Sequence, residues 1–427
     1  MLSPLKEMSS KIPVVYVPGS TGSELRDRET QKFVWGRGRQ LILPRDGGYA
    51  LARPIGWSPT SEESRLETAA AIEKITLAGF SQEVYGPIIR LLEANGYRRG
   101  DLDDPDPTAT AFLFAYDWRL DHRLAVGHLL ERLEALRRAR GEERLTVDLI
   151  CQSNGAYICR YLVKYGAATL EQAEAGTARP PATLDVRNMI LLGNSNGGSL
   201  RMLREIHRGR SYVALVGRKI RPEVCFSIPA FFQDLPTVRD DLFIGADGEP
   251  MAIDLFDAES WRRYGWSVFA PAARRRLARR GRTDLFGDEE QQMEYLHGVL
   301  DVARRLHRVL SRDAPGFGAT RYFMLQSNSS ETPDRAVLVR ESGAWETLFT
   351  GDKKLRRRAA LHRLATAQGD GHATVDSQLW LSPQEKAALA AEPYYVDDEH
   401  FELILKPETH RRLLDYLYDG SSAPGTR

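Results

Sequence analysis

No stretch of 18 apolar residues occurs anywhere in this 427-residue chain, so the sequence predicts no membrane-crossing helix. Its first residues, MLSPLKEMSSKIPVV, hold no apolar segment of signal-peptide length, and a soluble, cytoplasmic protein is expected. Cysteine is scarce. Cys151, Cys159 and Cys225 show neither the paired spacing of a metal site nor the even count of a disulfide framework, which leaves buried reduced thiols as the expectation. Neither sign of charge dominates, with 59 Lys and Arg against 58 Asp and Glu, and this balance gives no reason to expect a nucleic-acid partner. The glycines at 19 and 22 are not followed by Gly-Lys-Ser/Thr, and Rossmann spacing is absent, so no phosphate loop, metal or cofactor is called for.

What is present is an alternation of short apolar strands with helical stretches. Residues 12–17 (IPVVYV) read as a buried strand stopped by Pro18 and Gly19, and residues 111–116 (AFLFAY) as another. Leucines at helical spacing over 124–140 precede a strand at 145–151 (LTVDLIC), and a helical pattern over 156–165 follows it. After a loop at 167–182 come strands at 189–192, 321–326 and 336–340, with helices at 85–95 and 407–417. Strands and helices in this order imply an α/β protein with a mostly parallel central sheet flanked by helices. Between 200 and 312 the alternation gives way to helical, aromatic, arginine-rich sequence, which reads as an inserted helical cap or lid. The expected division is a core over 1–199, the cap over 200–312 and the rest of the core over 313–427.

The sharpest local signal is DLICQSNGAYICRYLVKYG, where a hydrophobic strand meets Gln152-Ser153-Asn154-Gly155 and a helix begins at once. This is the setting of a nucleophile elbow, in which a strained serine stands at the sheet's carboxyl edge and the next N–H, that of Asn154, faces a developing oxyanion. The pattern departs from Gly-x-Ser-x-Gly at its first position, occupied by Cys151. The plain alternative for Ser153 is a helix N-cap.

Several motifs fall in the order found in the lecithin:cholesterol acyltransferase family, and the resemblance spans most of the chain. VVYVPGSTGSEL (14–25) resembles its first strand and Pro-Gly loop, Val34-Trp35-Gly36 a further landmark, and Tyr116-Asp117-Trp118-Arg119 a hallmark tetrapeptide. LLGNSNGGSLRMLREI resembles a later strand and loop with Asn194-Ser195 in place of Thr-Pro; Tyr264-Gly265-Trp266 is similar to the cap. Gly369-Asp370-Gly371 resembles the Gly-Asp-Gly-Thr-Val loop with His372-Ala373 interposed, and Glu399-His400-Phe401 the catalytic histidine segment. The resemblance implies an α/β-hydrolase fold with Ser153 as nucleophile, Asp370 as acid, His400 as base and the Ser20 N–H as second oxyanion donor. Asp376 is the fallback acid, and His372 and His410 are the rival bases. Asp117 and Arg119 are expected to pair and brace the loops near the site.

Trp35, Trp261 and Trp266 are candidates to line an acyl channel, against the plainer reading that they pack. The arginine-rich stretch at 274–282 is either a solvated helix face or a transient contact with a membrane surface. The implied function is a serine acyl hydrolase or acyltransferase on lipid esters, working through an acyl-serine. The competing readings are an esterase or thioesterase on a smaller soluble ester, and a non-catalytic hydrolase-fold protein that binds a lipid or partner.

Overall fold

The computed structural model describes residues 11–37, 46–77, 80–211 and 219–418. Strands β1 (Val14–Val17), β2 (Ala111–Leu113), β3 (Leu145–Gln152), β4 (Leu184–Leu192), β5 (Arg321–Gln326) and β6 (Tyr394–Tyr395) form one sheet in the order β6-β5-β4-β3-β1-β2. Every pairing in it is parallel. The sequence shows why: all four residues of β1 and seven of the eight of β3 are buried, the near-continuous apolar run of a strand covered on both faces. Helices α1 (His122–Arg140), α2 (Gly155–Tyr165) and α5 (Pro407–Tyr418) flank the sheet. Asp121 caps α1 by accepting the Arg123 N–H, and Gly141, at φ 65°, ends it.

Every residue of α2 is buried, including two cations. The Arg160 guanidinium reaches the Glu385 carboxylate through two bonds of 2.8 Å, and Lys164 joins the same carboxylate at 3.4 Å. All three side chains are fully enclosed.

Residues 200–312 run through α3 (Leu200–Arg208), several short helices and α4 (Glu289–Leu310). In the arginine-rich helix Pro271–Arg280 two side chains are paired, Arg274 with Glu289 and Arg276 with Glu223.

The structure differs from expectation in several elements. The strand expected at 336–340 forms, as Ala336–Glu341, but outside the main sheet: it pairs with Phe243–Ile244 and with Ala344–Leu348 over its own small apolar cluster. Only Ala111–Leu113 of the run 111–116 is strand, paired with the four-residue β1 and bridged on its other side at Arg99. β4 starts at Leu184, where alternating burial precedes the apolar run. Two antiparallel additions had no periodicity to announce them: Ser23–Asp27 with Phe33–Trp35 and Leu66–Ala71, and the hairpin Lys74–Leu77 with Phe80–Glu83. The three cysteines are buried and free of disulfides, and among the described residues no helix is long and apolar enough to cross a membrane.

Candidate active site

The loops that follow the carboxyl ends of β1, β3, β4 and β6 meet at one rim of the sheet, where parallel α/β sheets bind their ligands. Ser153 directly follows β3 and has φ 50°, a left-handed backbone that non-glycine residues adopt only under constraint. Close packing supplies the constraint. A Cβ on Gly155 would stand 2.4 Å from the Val17 carbonyl oxygen, so only glycine lets α2 start this near β1. Asn194 holds the turn from the other side, donating Nδ2–H to the Cys151 and Ser153 carbonyls at 2.9 and 3.1 Å. Cys151 fits where a glycine was expected: its side chain is fully buried, and burial beside Cys159 of α2 pushes its pKa well up, which makes it a packing group.

His400 joins the two other residues. Its Nε2 lies 3.0 Å from Ser153 Oγ and its Nδ1 2.7 Å from Asp370 Oδ2. A carboxylate only accepts, so Nδ1 carries the hydrogen and Nε2 offers its lone pair to the serine hydroxyl. Asp370 is fully buried, and its Oδ1 accepts the N–H groups of His372 and Ala373 at 2.9 and 2.7 Å. Burial alone pushes this carboxyl up; the His400 charge and hydrogen bond, His372 and the Ala373 N–H more than offset it and hold the pKa below the ordinary value.

The loop after β1 runs directly over the serine. A Cβ on Gly19 would fall 2.7 Å from Ser153 Cβ. Four side chains brace this loop: Gln152 Oε1 accepts the Gly19 N–H at 2.8 Å, the Tyr116 hydroxyl donates to the Pro18 carbonyl at 2.9 Å, and the Trp35 and Trp118 indoles donate to Thr21 and Ser23. The backbone N–H groups of Ser20 and Asn154 donate to no backbone carbonyl among the described residues. Asp117 and Arg119 do pair, at 2.6 Å, and Arg119 also holds the Leu51 carbonyl.

The cleft has a volume of about 340 Å³. Ser20, Asn154, Ser153, Asp370 and His400 line it, together with Ile75, Tyr85, Met202 and Phe401 and the polar Gln82, Arg201, Arg210, Asp234 and Glu402. The three tryptophans proposed for an acyl channel are not among its lining residues. Trp35 is buried beside Trp118, and Trp261 and Trp266 pack edge-to-face with centroids 5.6 Å apart, each indole N–H spent within the interior. Their apolar area goes into the core. Of the rival residues, Asp376 is exposed, His410 bonds the Ile404 carbonyl, and His372 lies tilted against His400 with its side chain turned to Asp234. Sequence reasoning missed Gln152 as a loop brace and Asp234 altogether; QDLP carries no pattern that singles out an acid.

The fold is that of the α/β-hydrolases. Among solved structures, the chain is similar to one in the crystal structure of the Tle4–Tli4 complex, with 12% identity over 96% of this chain and 98% of that one and a TM-score of 0.54, a likeness of fold. The crystal structure of the Bacillus licheniformis lipase BlEst2 in mature form is also 12% identical, over 96% and 92% of the two chains, but its TM-score of 0.34 is too loose to carry an argument. No protein-family model and no curated protein matches the sequence. Within the α/β-hydrolase frame the cleft holds a hydroxyl, an imidazole and a carboxylate in hydrogen-bonded series, an arrangement able to draw a proton from an alcohol.

Proposed function

We propose that this protein is a serine acyl hydrolase or acyltransferase acting on ester-linked acyl chains of lipids. The observation that carries the reading is the 3.0 Å approach of His400 Nε2 to the hydroxyl of a serine held at φ 50°. Ser153 Oγ attacks the acyl carbonyl as His400 takes its proton; Asp370 fixes the imidazole tautomer and stabilises the imidazolium. The N–H groups of Ser20 and Asn154 receive the oxyanion. The leaving alcohol departs with the proton from His400, and water or an acceptor alcohol then releases the acyl group by the same steps in reverse. The sequence resemblance to the lecithin:cholesterol acyltransferase family supports the choice of a lipid ester. In this reading residues 200–312 are the cap, contributing Arg201, Met202, Arg210 and Asp234 to the cleft, with a membrane surface as transient partner.

The polar lining and the 340 Å³ volume favour a second reading, an esterase on a shorter, soluble acyl ester. Exposure of the purified protein to a fluorescent alkylphosphonate tests the chemistry: stoichiometric labelling that disappears in Ser153→Ala is expected, and an unlabelled wild type rejects the enzyme in favour of a non-catalytic binder. Rates on dispersed esters of increasing chain length, compared with vesicles, then separate the two substrate classes.

A further inference from the structure

Beside the His400–Asp370 pair lies a second imidazole–carboxylate pair with no part in the steps above. His372 and Asp234 both line the cleft. The His372 ring lies tilted against that of His400, with centroids 4.5 Å apart and planes inclined by 32°. Its Nε2 stands 3.3 Å from Asp234 Oδ2. Asp234 is wholly buried, and its other oxygen accepts the Ser195 hydroxyl at 2.6 Å and the Tyr157 hydroxyl at 3.2 Å. Three donors therefore converge on one buried carboxylate. The main chain of His372 is tied to the same centre, since its N–H holds Asp370 Oδ1.

We propose, on the reading of Ser153 as nucleophile and His400 as base, that the Asp234–His372 pair is a positioning unit for His400: the adjoining ring limits the swing of the imidazole, and the Asp234 charge behind it stabilises the cation that forms. The neutral state of His372 is essential to this. Burial, reinforced by His400, lowers the pKa of His372 against the opposing pull of Asp234, so the ring faces a newly formed imidazolium as an uncharged partner. Bonding to a carboxylate fixes the hydrogen on Nε2. The other charged or titratable groups around the pair are Asp370 on its own loop, Arg201 and Glu205 of α3, Tyr157 of α2, His122 of α1 and His307 of α4, whose burial holds both imidazoles toward the neutral form, and Glu399, Glu402 and Arg210 at the cleft. Arg201 and Glu205 are paired with each other at 3.2 Å, which mutes their opposing effects. Ser195, read in the sequence as a departure from Thr-Pro, acquires a purpose here, because proline has no hydroxyl to hold Asp234.

NMR of selectively 13C-labelled histidine through a pH titration tests the proposal without requiring turnover. In Asp234→Asn the midpoint at which His400 takes its proton is expected to fall by about one pH unit, because a nearby buried negative charge is gone. In His372→Ala, kcat on a soluble p-nitrophenyl ester is expected to drop about tenfold at unchanged KM, with rates expressed per phosphonate-reactive site. His372→Phe, which restores a flat ring, should recover much of that loss. A purely structural role would lower the melting temperature while leaving the His400 midpoint and the rate per reactive site as they were. An unchanged midpoint in Asp234→Asn, or a wild-type kcat in His372→Ala, overturns the proposal. Should Asp234→Asn not fold, the comparison of His372→Ala with His372→Phe decides alone. Failure of the wild type to take the phosphonate would instead defeat the assignment of Ser153, an outcome separable from the titration.

Discussion

At the scale of the residue, the site is held by groups whose loss has sharply different consequences. Asp370→Asn keeps the shape but lets the imidazole turn to the wrong tautomer, and we expect kcat to fall about 10⁴-fold with the fold intact, measured by ester turnover beside circular dichroism. Cys151→Gly, which restores the usual elbow residue, should leave kcat within about twofold while lowering stability by about 1 kcal/mol, because the present thiol packs against Cys159 and glycine costs strand order. Thermal melting and turnover of the same preparation check both halves. Ser153 was legible in the sequence because strand, small turn and helix lie within twenty residues. Asp370 and His400 were reached through resemblance and chain order. Asp234 was not reachable by either route: it is brought to the cleft by packing of segments remote in the chain, and its neighbours show no motif.

At the scale of the element, the strand-turn-helix of β3 and α2 depends on one absent methyl group. Gly155→Ala places a Cβ 2.4 Å from the Val17 carbonyl, so α2 must move off β1; we expect a loss of about 1–3 kcal/mol and a larger proportional loss of phosphonate reactivity. The loop after β1 is braced more gently. Tyr116→Phe removes the bond to the Pro18 carbonyl and should cost about 1 kcal/mol while slowing acylation more than it weakens binding, a split visible in kcat against KM. Strands β1, β3, β4 and β5 were readable because burial on both faces leaves continuous apolar runs, whereas the two half-buried tyrosines of β6 gave no such signal. The antiparallel additions were not, since Ser23–Asp27 and Leu66–Ala71 are half exposed and mix charged with apolar residues. The strand at 336 was recognised but not its partners, because pairing with Phe243–Ile244 depends on long-range contacts.

At the scale of the whole molecule, the enclosed Arg160–Lys164–Glu385 cluster ties α2 to the helix at Pro383–Ala387. Burial pushes the Glu385 carboxyl up, but Arg160, Lys164 and the Ser382 N–H outweigh it and hold the pKa at about 2. A carboxyl lower in the folded than in the unfolded chain contributes stability that is whole above the unfolded value of about 4.3 and fades as pH falls toward the folded one. Urea midpoints of the wild type should therefore decline between about pH 4.5 and 2. Glu385→Gln should flatten that decline and, by stranding two buried cations, cost about 3–5 kcal/mol at neutral pH. A midpoint at pH 7 equal to the wild type would refute the assignment of the cluster as a fully enclosed ion triad.

The serine stands on the third strand of the sheet from one side, whereas the imidazole is delivered just beyond β6, an outermost ribbon whose ladder pairs two residues and is extended by the Val396 N–H to Gln326 carbonyl bond and a separate bridge at Leu389. Amides near 394–396 should exchange with deuterium before those of 145–152, because this edge is bonded on one side only whereas β3 is bonded on both. A brief loosening of that margin would part base from alcohol while the interior stays intact, so heat or mild denaturant should silence this protein well before it melts.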